Sequence, residues 1–332
     1  MSLYAELEVT TNFSFLRSAS HPAEMAKTAA ALGLAAVAVA DRNTLAGVVR
    51  AHQAAKQAGI KLVVGARLDL RDAPSLLCFP TDRAAYGRLS KLITLGRRRA
   101  AKGDCEIYLE DVFAHSGGQL FISLPPREME REPDPAYIAH LHRLREVLGR
   151  DVWIAARCRY HGDDTARLWS LTQLAVEVNI PLVATNDIRM HVPDRKALMD
   201  VLTCIREHCS VDQAGFRLMA NAERHFKPPA EMARLFRRHP EAVMQTMVIA
   251  ERCTFSLDEL RYEYPDDEAP PGTTPQAELA RLSREGAKTR YPDGVPEKVS
   301  AQIDYELKLI NELNYAPYFL TVHDIVRFAR SQ

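Results

Sequence analysis

The stretch Ala35-Ala-Val-Ala-Val-Ala40, followed at once by Asp41-Arg42, decides the architecture. A short, continuous run of small and β-branched apolar residues reads as a strand covered on both faces, here ending in charge. A helix from about His21 to Leu32 precedes it, with Pro22 in its first turn and Gly33 just past its end. Upstream of that, Glu6–Phe13 is a strand in which Leu7, Val9 and Thr11 alternate with Glu6, Glu8 and Thr10. Downstream the unit repeats. Helix Leu45–Ala58 stops at Gly59, strands Lys61–Leu70 and Ser75–Phe79 are joined by a short turn, and helix Arg83–Arg99 follows. Strand Gln119–Leu124, a helix around Tyr137–Leu148, strand Val152–Arg159, helix Thr165–Val178, strand Leu182–Asn186 and helix Arg195–Glu207 complete the series.

Strands alternating with helices of this length call for parallel α/β structure with right-handed crossovers. The number of units points to closure into a barrel, with an open doubly wound sheet as the alternative. No GxGxxG follows a strand, so a dinucleotide fold has no support. After Phe216 the pattern changes to short helices, Pro229–Arg238 and Pro240–Arg252. Glu263–Pro275, rich in Pro, Asp, Glu and Gly, reads as a linker. Beyond it Val299, Ile303, Leu307 and Ile310 form one apolar stripe on a helix. Thr321-Val-His-Asp324 reads as a capping box opening another. Two helices without a core of their own lead us to expect that the sequence stops inside a second domain.

The 332 residues are 47% hydrophobic and 26% charged, as in an ordinary soluble protein, and the length suits one large α/β domain plus a smaller piece. No signal peptide or membrane span is evident, and a cytoplasmic location is expected. The six cysteines (Cys78, Cys105, Cys158, Cys204, Cys209, Cys253) show no CxxC spacing and read as reduced, buried small hydrophobes. A formal net charge of zero argues against a chain that coats nucleic acid by itself.

Functional side chains of a parallel barrel come from the C-terminal strand tips. Here those tips carry Glu8 and Thr10, Arg42, Arg67 and Arg189, with Asp41 and Asp187 beside them. A hydrolytic metal site needs neutral imidazoles and carboxylates around a cation, and guanidiniums repel cations. A His-x-His pair on a strand would put both rings on one side. The chain's pair, His140 and His142, lies in a helical pattern, points to opposite faces and reads as solvated. Asp187 and Arg189 share one side of a strand end as an ion pair, and His161 is a weak candidate for the same mouth. No Ser or Cys has a base and an orienting acid at recognisable spacing. The run Gly96-Arg97-Arg98-Arg99-Ala-Ala-Lys102 suits a solvated helix C-terminus, with a DNA or partner contact as the second reading.

These tips, with Thr11-Asn-Phe-Ser-Phe-Leu16, Ala184-Thr-Asn-Asp-Ile188, Asp200-Val-Leu-Thr-Cys-Ile-Arg206 and Tyr315-Ala-Pro-Tyr-Phe-Leu-Thr-Val-His-Asp-Ile-Val-Arg-Phe-Ala-Arg330, resemble the bacterial C-family DNA polymerases. The match is closest to their error-prone, damage-inducible branch, the ImuC type, along essentially the whole chain. The resemblance implies an N-terminal PHP (polymerase and histidinol phosphatase) domain, a distorted seven-stranded α/β barrel, and after it the first helices of the palm. It divides the chain into a barrel at 1–216, a helical extension at 217–262, the linker at 263–275 and the start of the palm at 276–332. Metal-binding PHP domains gather His, Asp and Glu around a trinuclear site. By position, the opening His-x-His falls on Glu8 and Thr10, the acidic position of the next loop on Arg17, and the His of Asp-His on Arg42 after Asp41. The glutamate after the third strand falls on Arg67, the next His on Ser75, a Cys or His near Leu124 and Pro125, and the final Asp-x-His on Asp187 and Arg189.

The expectation that follows is a PHP domain without metal or catalysis, in which Arg42, Arg67 and Arg189 fill the former metal volume and pair with Glu8, Asp41 or Asp187. The contrasting arrangement has them swung into solvent. The whole enzyme would be a DNA-directed polymerase of damage-induced mutagenesis and translesion synthesis, using Mg²⁺ on palm carboxylates outside this chain. Its partners would be the remaining polymerase domains, DNA, accessory mutasome proteins and the sliding clamp, with no membrane. Helix Glu297–Leu313 would support the palm. Two other readings stand beside it. One is a metal-dependent phosphoesterase or 3′–5′ exonuclease using Glu8, Asp41, His161 and Asp187. The other is an anion-binding barrel holding phosphate or a DNA end on its arginines.

Overall fold

The computed structural model describes residues 3–126, 134–261, 269–270 and 272–332. The chain divides into two compact units, Met1–Leu260 and Arg261–Gln332. Most of the expected linker, residues 263–268 and 271, lies outside the described residues.

The first unit is built on one seven-stranded sheet in sequence order: β1 (Ala5–Val9), β2 (Ala36–Arg42), β3 (Lys61–Leu68), β4 (Leu76–Pro80), β5 (Gln119–Ser123), β6 (Val152–Arg157) and β7 (Leu182–Thr185). Helices α1 (Pro22–Ala31), α2 (Val48–Ala58), α3 (Arg83–Arg99), α4 (Leu109–Ala114), α5 (Pro135–Leu148) and α6 (Asp164–Glu177) lie between the strands. After β7 come α7 (Lys196–Glu207), α8 (Val211–Ala214), α9 (Pro229–Leu235) and α10 (Pro240–Arg252).

The sheet is parallel except at β4, which runs antiparallel to both β3 and β5. The short turn after Leu68 permits nothing else, because a parallel crossover needs about a dozen residues. The barrel closes through the residues just past the strands: Thr10 N donates to Ile188 O at 2.9 Å and Ile188 N to Glu8 O at 2.8 Å. Seven units thus close the sheet, as their number suggested.

Both faces of the sheet are buried, so every residue of β1 and nearly all of β2 is inaccessible. Alternate residues feed two apolar clusters. One, containing Ala38, Phe79, Ile122, Trp153 and Val183, fills the barrel. The other, containing Val37, Leu76, Phe121, Ile154 and Ala184, meets Met25, Leu89, Leu141 and Leu174 of the surrounding helices. Helix α10 closes the end where strands begin. Its Thr246 accepts from Ala5 N at 3.2 Å, its Ala250 O from Lys61 Nζ at 2.6 Å, and its Gln245 from Trp153 Nε1 at 2.8 Å. With that end plugged, the C-terminal strand tips are left as the mouth.

The second unit contains α11 (Pro275–Arg290), α12 (Glu297–Glu312) and α13 (Ala316–Ser331) around Leu279, Leu307, Ala316 and Leu320. Thr321 is not a cap. It lies inside α13 and donates to Pro317 O at 3.0 Å. The true punctuation is Asn314, left-handed at φ 55°, which ends α12, and Pro317 in the first turn of α13. His140 also departs from expectation. On the inner face of α5 it is buried, stacks beside Tyr137 at 6.1 Å and has its pKa pushed down to about 4 by burial, which Asp72 only partly offsets. His142 is exposed as expected. All six cysteines are free thiols; Cys105 and Cys209 are half-buried, the other four buried. Among the described residues, no helix is long and apolar enough to cross a membrane.

Candidate functional site at the barrel mouth

Buried charge must be matched, and each charged strand tip shows how. Glu8, at the end of β1, is 2% exposed. Arg157, at the end of β6, grips it with two hydrogen bonds, Nε to Oε2 at 2.8 Å and NH2 to Oε1 at 2.5 Å. Thr185 of β7 adds a third at 2.8 Å. Burial alone would disfavour the Arg157 charge, but the Glu8 carboxylate overrides it and raises the guanidinium's pKa. A carboxylate held by a planar fork and a hydroxyl has few lone pairs left for a metal.

Asp187 follows β7 in the left-handed conformation, φ 47°, which Asp and Asn adopt more readily than other side chains. Three guanidiniums reach it: Arg224 at 3.0 Å, Arg159 at 3.1 Å and Arg189 at 3.4 Å. Burial would raise its pKa. The cations, led by Arg224 and Arg189, hold it well below the usual carboxylate range instead. Arg224 comes from the segment after α8, which docks on the barrel through Arg189 N to Arg224 O at 3.0 Å and Asn221 Nδ2 to Arg159 O at 2.7 Å.

Asp41 has no arginine. Its carboxylate accepts from Thr11 N at 2.8 Å, Thr11 Oγ1 at 2.7 Å and Ser14 Oγ at 2.6 Å, pinning the turn after β1 to the end of β2. Burial pushes its pKa up, against the lowering effect of those bonds. The room comes from Gly47, where a Cβ would stand 2.8 Å from Asp41 Oδ2.

Arg42 and Arg67 therefore pair neither with Glu8, nor Asp41, nor Asp187. Both turn to Asp69, Arg42 at 2.5 Å and Arg67 at 2.8 Å, and Arg67 also reaches Ser75 Oγ at 3.2 Å. Register explains this. Arg42 and Arg67 are cross-strand partners, and Asp69 is two residues beyond Arg67 on the same side. Burial and the neighbouring Arg67 push the Arg42 pKa down to about 10. Arg189 is the one of the three that meets an expected partner, Asp187.

Among the remaining candidates, Thr10 contributes its backbone to barrel closure. Arg17 lines the mouth with no ion pair or hydrogen bond to its guanidinium among the described residues, and its pKa is pushed down by burial and by Arg206 and Arg189. Leu124 and Pro125 line the same cleft, and bring it no ligand atom from a side chain. His161 is exposed on an adjoining cleft that shares Arg157, Arg159 and Arg217 with it. In the basic run, Arg97 NH2 donates to Asn43 O at 2.9 Å and Arg99 pairs with Asp111 at 2.7 Å, while Arg98 and Lys102 are exposed. Sequence reasoning missed Arg157, Arg159, Arg224, Arg206 and Asp69. Arg157 had a visible signal, a cation closing the apolar run Val152–Ala156.

The tips surround a cleft of about 580 Å³ lined by eight arginines against two carboxylates, Asp187 and Glu207. Among the described residues, no group of three or more His, Cys, Asp or Glu side chains is placed to hold a metal ion. The donor set does not fit the metal centre that PHP domains imply.

Residues 6–157 match the sequence model of the PHP domain, and residues 277–332 that of the bacterial DNA polymerase III alpha NTPase domain. Error-prone DNA polymerase of Caulobacter vibrioides is 52% identical over 99% of this chain and 30% of its own length. Its Bradyrhizobium counterpart is 49% identical over 99% of this chain and 29% of its own, and error-prone DNA polymerase 2 of Agrobacterium fabrum 47% over 99% and 30%. Nearly the whole chain is similar to the corresponding part of error-prone DNA polymerases. It spans about 30% of the length of these relatives. A solved amidohydrolase from Chromobacterium violaceum, with sulfate bound and no metal, overlaps 56% of the chain and 88% of its own at 15% identity. The TM-score of that overlap is 0.45.

Proposed function

We propose that this chain is the N-terminal part of an error-prone DNA polymerase of damage-induced mutagenesis and translesion synthesis, and that its PHP domain is a metal-free scaffold without catalysis of its own. The barrel would comprise residues 1–216, its helical extension 217–262 and the start of the palm 276–332. Nucleotide transfer by the whole enzyme would use Mg²⁺ held by palm carboxylates outside this chain. Its partners would be the other polymerase domains, DNA, mutasome proteins and the sliding clamp in the cytoplasm.

One observation carries the scaffold reading: every carboxylate at the mouth is already engaged by guanidiniums or hydroxyls. The same pairing argues against a phosphoesterase built on Glu8, Asp41, His161 and Asp187. Glu8 and Asp41 each already accept three hydrogen bonds, Asp187 holds three cations, and His161 stands on the adjoining cleft. The test is hydrolysis of a chromogenic phosphodiester and of 3′-labelled single-stranded DNA in millimolar Mn²⁺. No release above an Asp187→Asn variant is expected. Saturable release that this variant abolishes would overturn the reading.

A further inference from the structure

Matching the carboxylates does not exhaust the cations. Asp69 neutralises one of Arg42 and Arg67, and Asp187 cannot neutralise both Arg159 and Arg189, while Arg206 pairs with Glu207, with Nε to Oε1 at 3.0 Å, and spends NH1 on Leu16 O at 2.8 Å. Arg17 makes no hydrogen bond or close ion pair through its guanidinium among the described residues, with only the more distant charges of Asp69 and Glu207 favouring it, and the Nε–H of Arg159 is buried without an acceptor. A scaffold needing only internal neutrality would not carry this surplus, because unpaired cations in a cleft repel one another and lose hydration. Burial and one another's charge destabilise these charged guanidiniums, as burial and then Arg157 push Arg159 down to about 10, and an entering anion relieves that repulsion.

We infer that the mouth is a receptor for a phosphate-type anion of charge −2 or more, bound directly by arginine and not hydrolysed. Arg17, Arg42, Arg159, Arg189 and Arg206 line one cleft and would reach it as N–H donors. Guanidinium forks match the paired oxygens of phosphate, and a donor set that does not fit a metal offers a bound ester no metal-activated water. This inference rests on the metal-free reading. The shared chemistry admits a free anion or the terminal phosphate of a strand.

The experiment is titration calorimetry of the whole chain in excess EDTA at low salt, with pyrophosphate, with a 5′-phosphorylated oligonucleotide and with the same oligonucleotide unphosphorylated. One saturable site is expected, weakened by added salt. Binding of the phosphorylated strand well above its unphosphorylated form assigns a strand end; binding of pyrophosphate alone assigns a free anion. Arg17→Gln removes a cation that no internal carboxylate needs, so affinity should fall about tenfold or more while the ligand-free melt holds or rises. Arg217→Gln, on an exposed turn lining the cleft, is the second variant, and Arg98→Gln, outside it, should bind as the parent does. Undetectable binding of every probe, or equal affinity in Arg17→Gln, Arg217→Gln and Arg98→Gln, overturns the proposal and leaves the metal-free reading standing. Binding that appears only when Mn²⁺ replaces EDTA overturns both.

Discussion

Asp187→Asn isolates the central charge of the mouth from everything else about that position. Asn tolerates the left-handed φ of 47° as Asp does and keeps one acceptor oxygen, so backbone strain and volume are nearly unchanged. The carboxylate charge shared by Arg159, Arg189 and Arg224 is lost. Removing one partner of a buried ion pair costs about 3–5 kcal/mol, because the orphaned cation stays buried. For a unit of this size each kcal/mol moves Tm by about 2–4 °C, so a fall of roughly 10 °C is expected. Asp187→Ala should fall further, by about another 1 kcal/mol or more, for a non-glycine residue in the left-handed region without its side-chain acceptor. The Asp187 pKa is depressed, so its contribution is present above the unfolded carboxylate value and lost only in stronger acid. Between pH 5 and 9 the gap between parent and variant should therefore be flat. Differential scanning calorimetry across that range decides it. An Asp187→Asn melt within about 2 °C of the parent, against the cost just given, would refute the reasoning. It would mean that the arginines discharge into water.

Glu6, 1% exposed, has its pKa raised to about 7, by burial above all and against the hydrogen bonds from Tyr4 and Glu8 N. A raised carboxyl pKa stabilises below its unfolded value and loses that stability as pH climbs through the folded value. Denaturant unfolding should weaken by about 2 kcal/mol between pH 5.5 and 8.5. Glu6→Gln, which can still accept from Glu8 N and donate to Tyr4 Oη, should flatten the profile; an unchanged slope would contradict this. Gly47→Ala should cost about 1–3 kcal/mol in urea, since its Cβ would press on an Asp41 carboxylate fixed by three hydrogen bonds, and a neutral outcome would show that carboxylate to be movable.

The strands were legible because a sheet buried on both faces leaves continuous apolar runs, as in Ala36–Ala40, and because turn signals such as Gly33 and Gly59 bracket the helices. The antiparallel β4 was implicit in the short connection after Leu68. The plug α10 was not, since nothing in Pro240–Arg252 says which end of a barrel it covers. At the mouth, the tips were found and Arg189 was given its partner, but the partner of Arg42 and Arg67 was misassigned. Asp187-x-Arg189 and Arg67-x-Asp69 obey the same two-residue rule, and only the first was read. Arg157 and Glu8 pair across 149 residues, a relation that only closure of the sheet creates. Arg224 depends on docking of a loop that no strand pattern announces.

Elemental analysis of the purified chain for bound metal, with melting curves in buffer and in excess chelator, decides whether guanidiniums stand in the place of metal at the mouth. A mouth whose carboxylates are neutralised by guanidiniums predicts no stoichiometric transition metal and superimposable melts. Zn²⁺ or Mn²⁺ near one equivalent or more, with a melt that drops on chelation, would contradict it and make the arginines neighbours of a metal rather than its replacement.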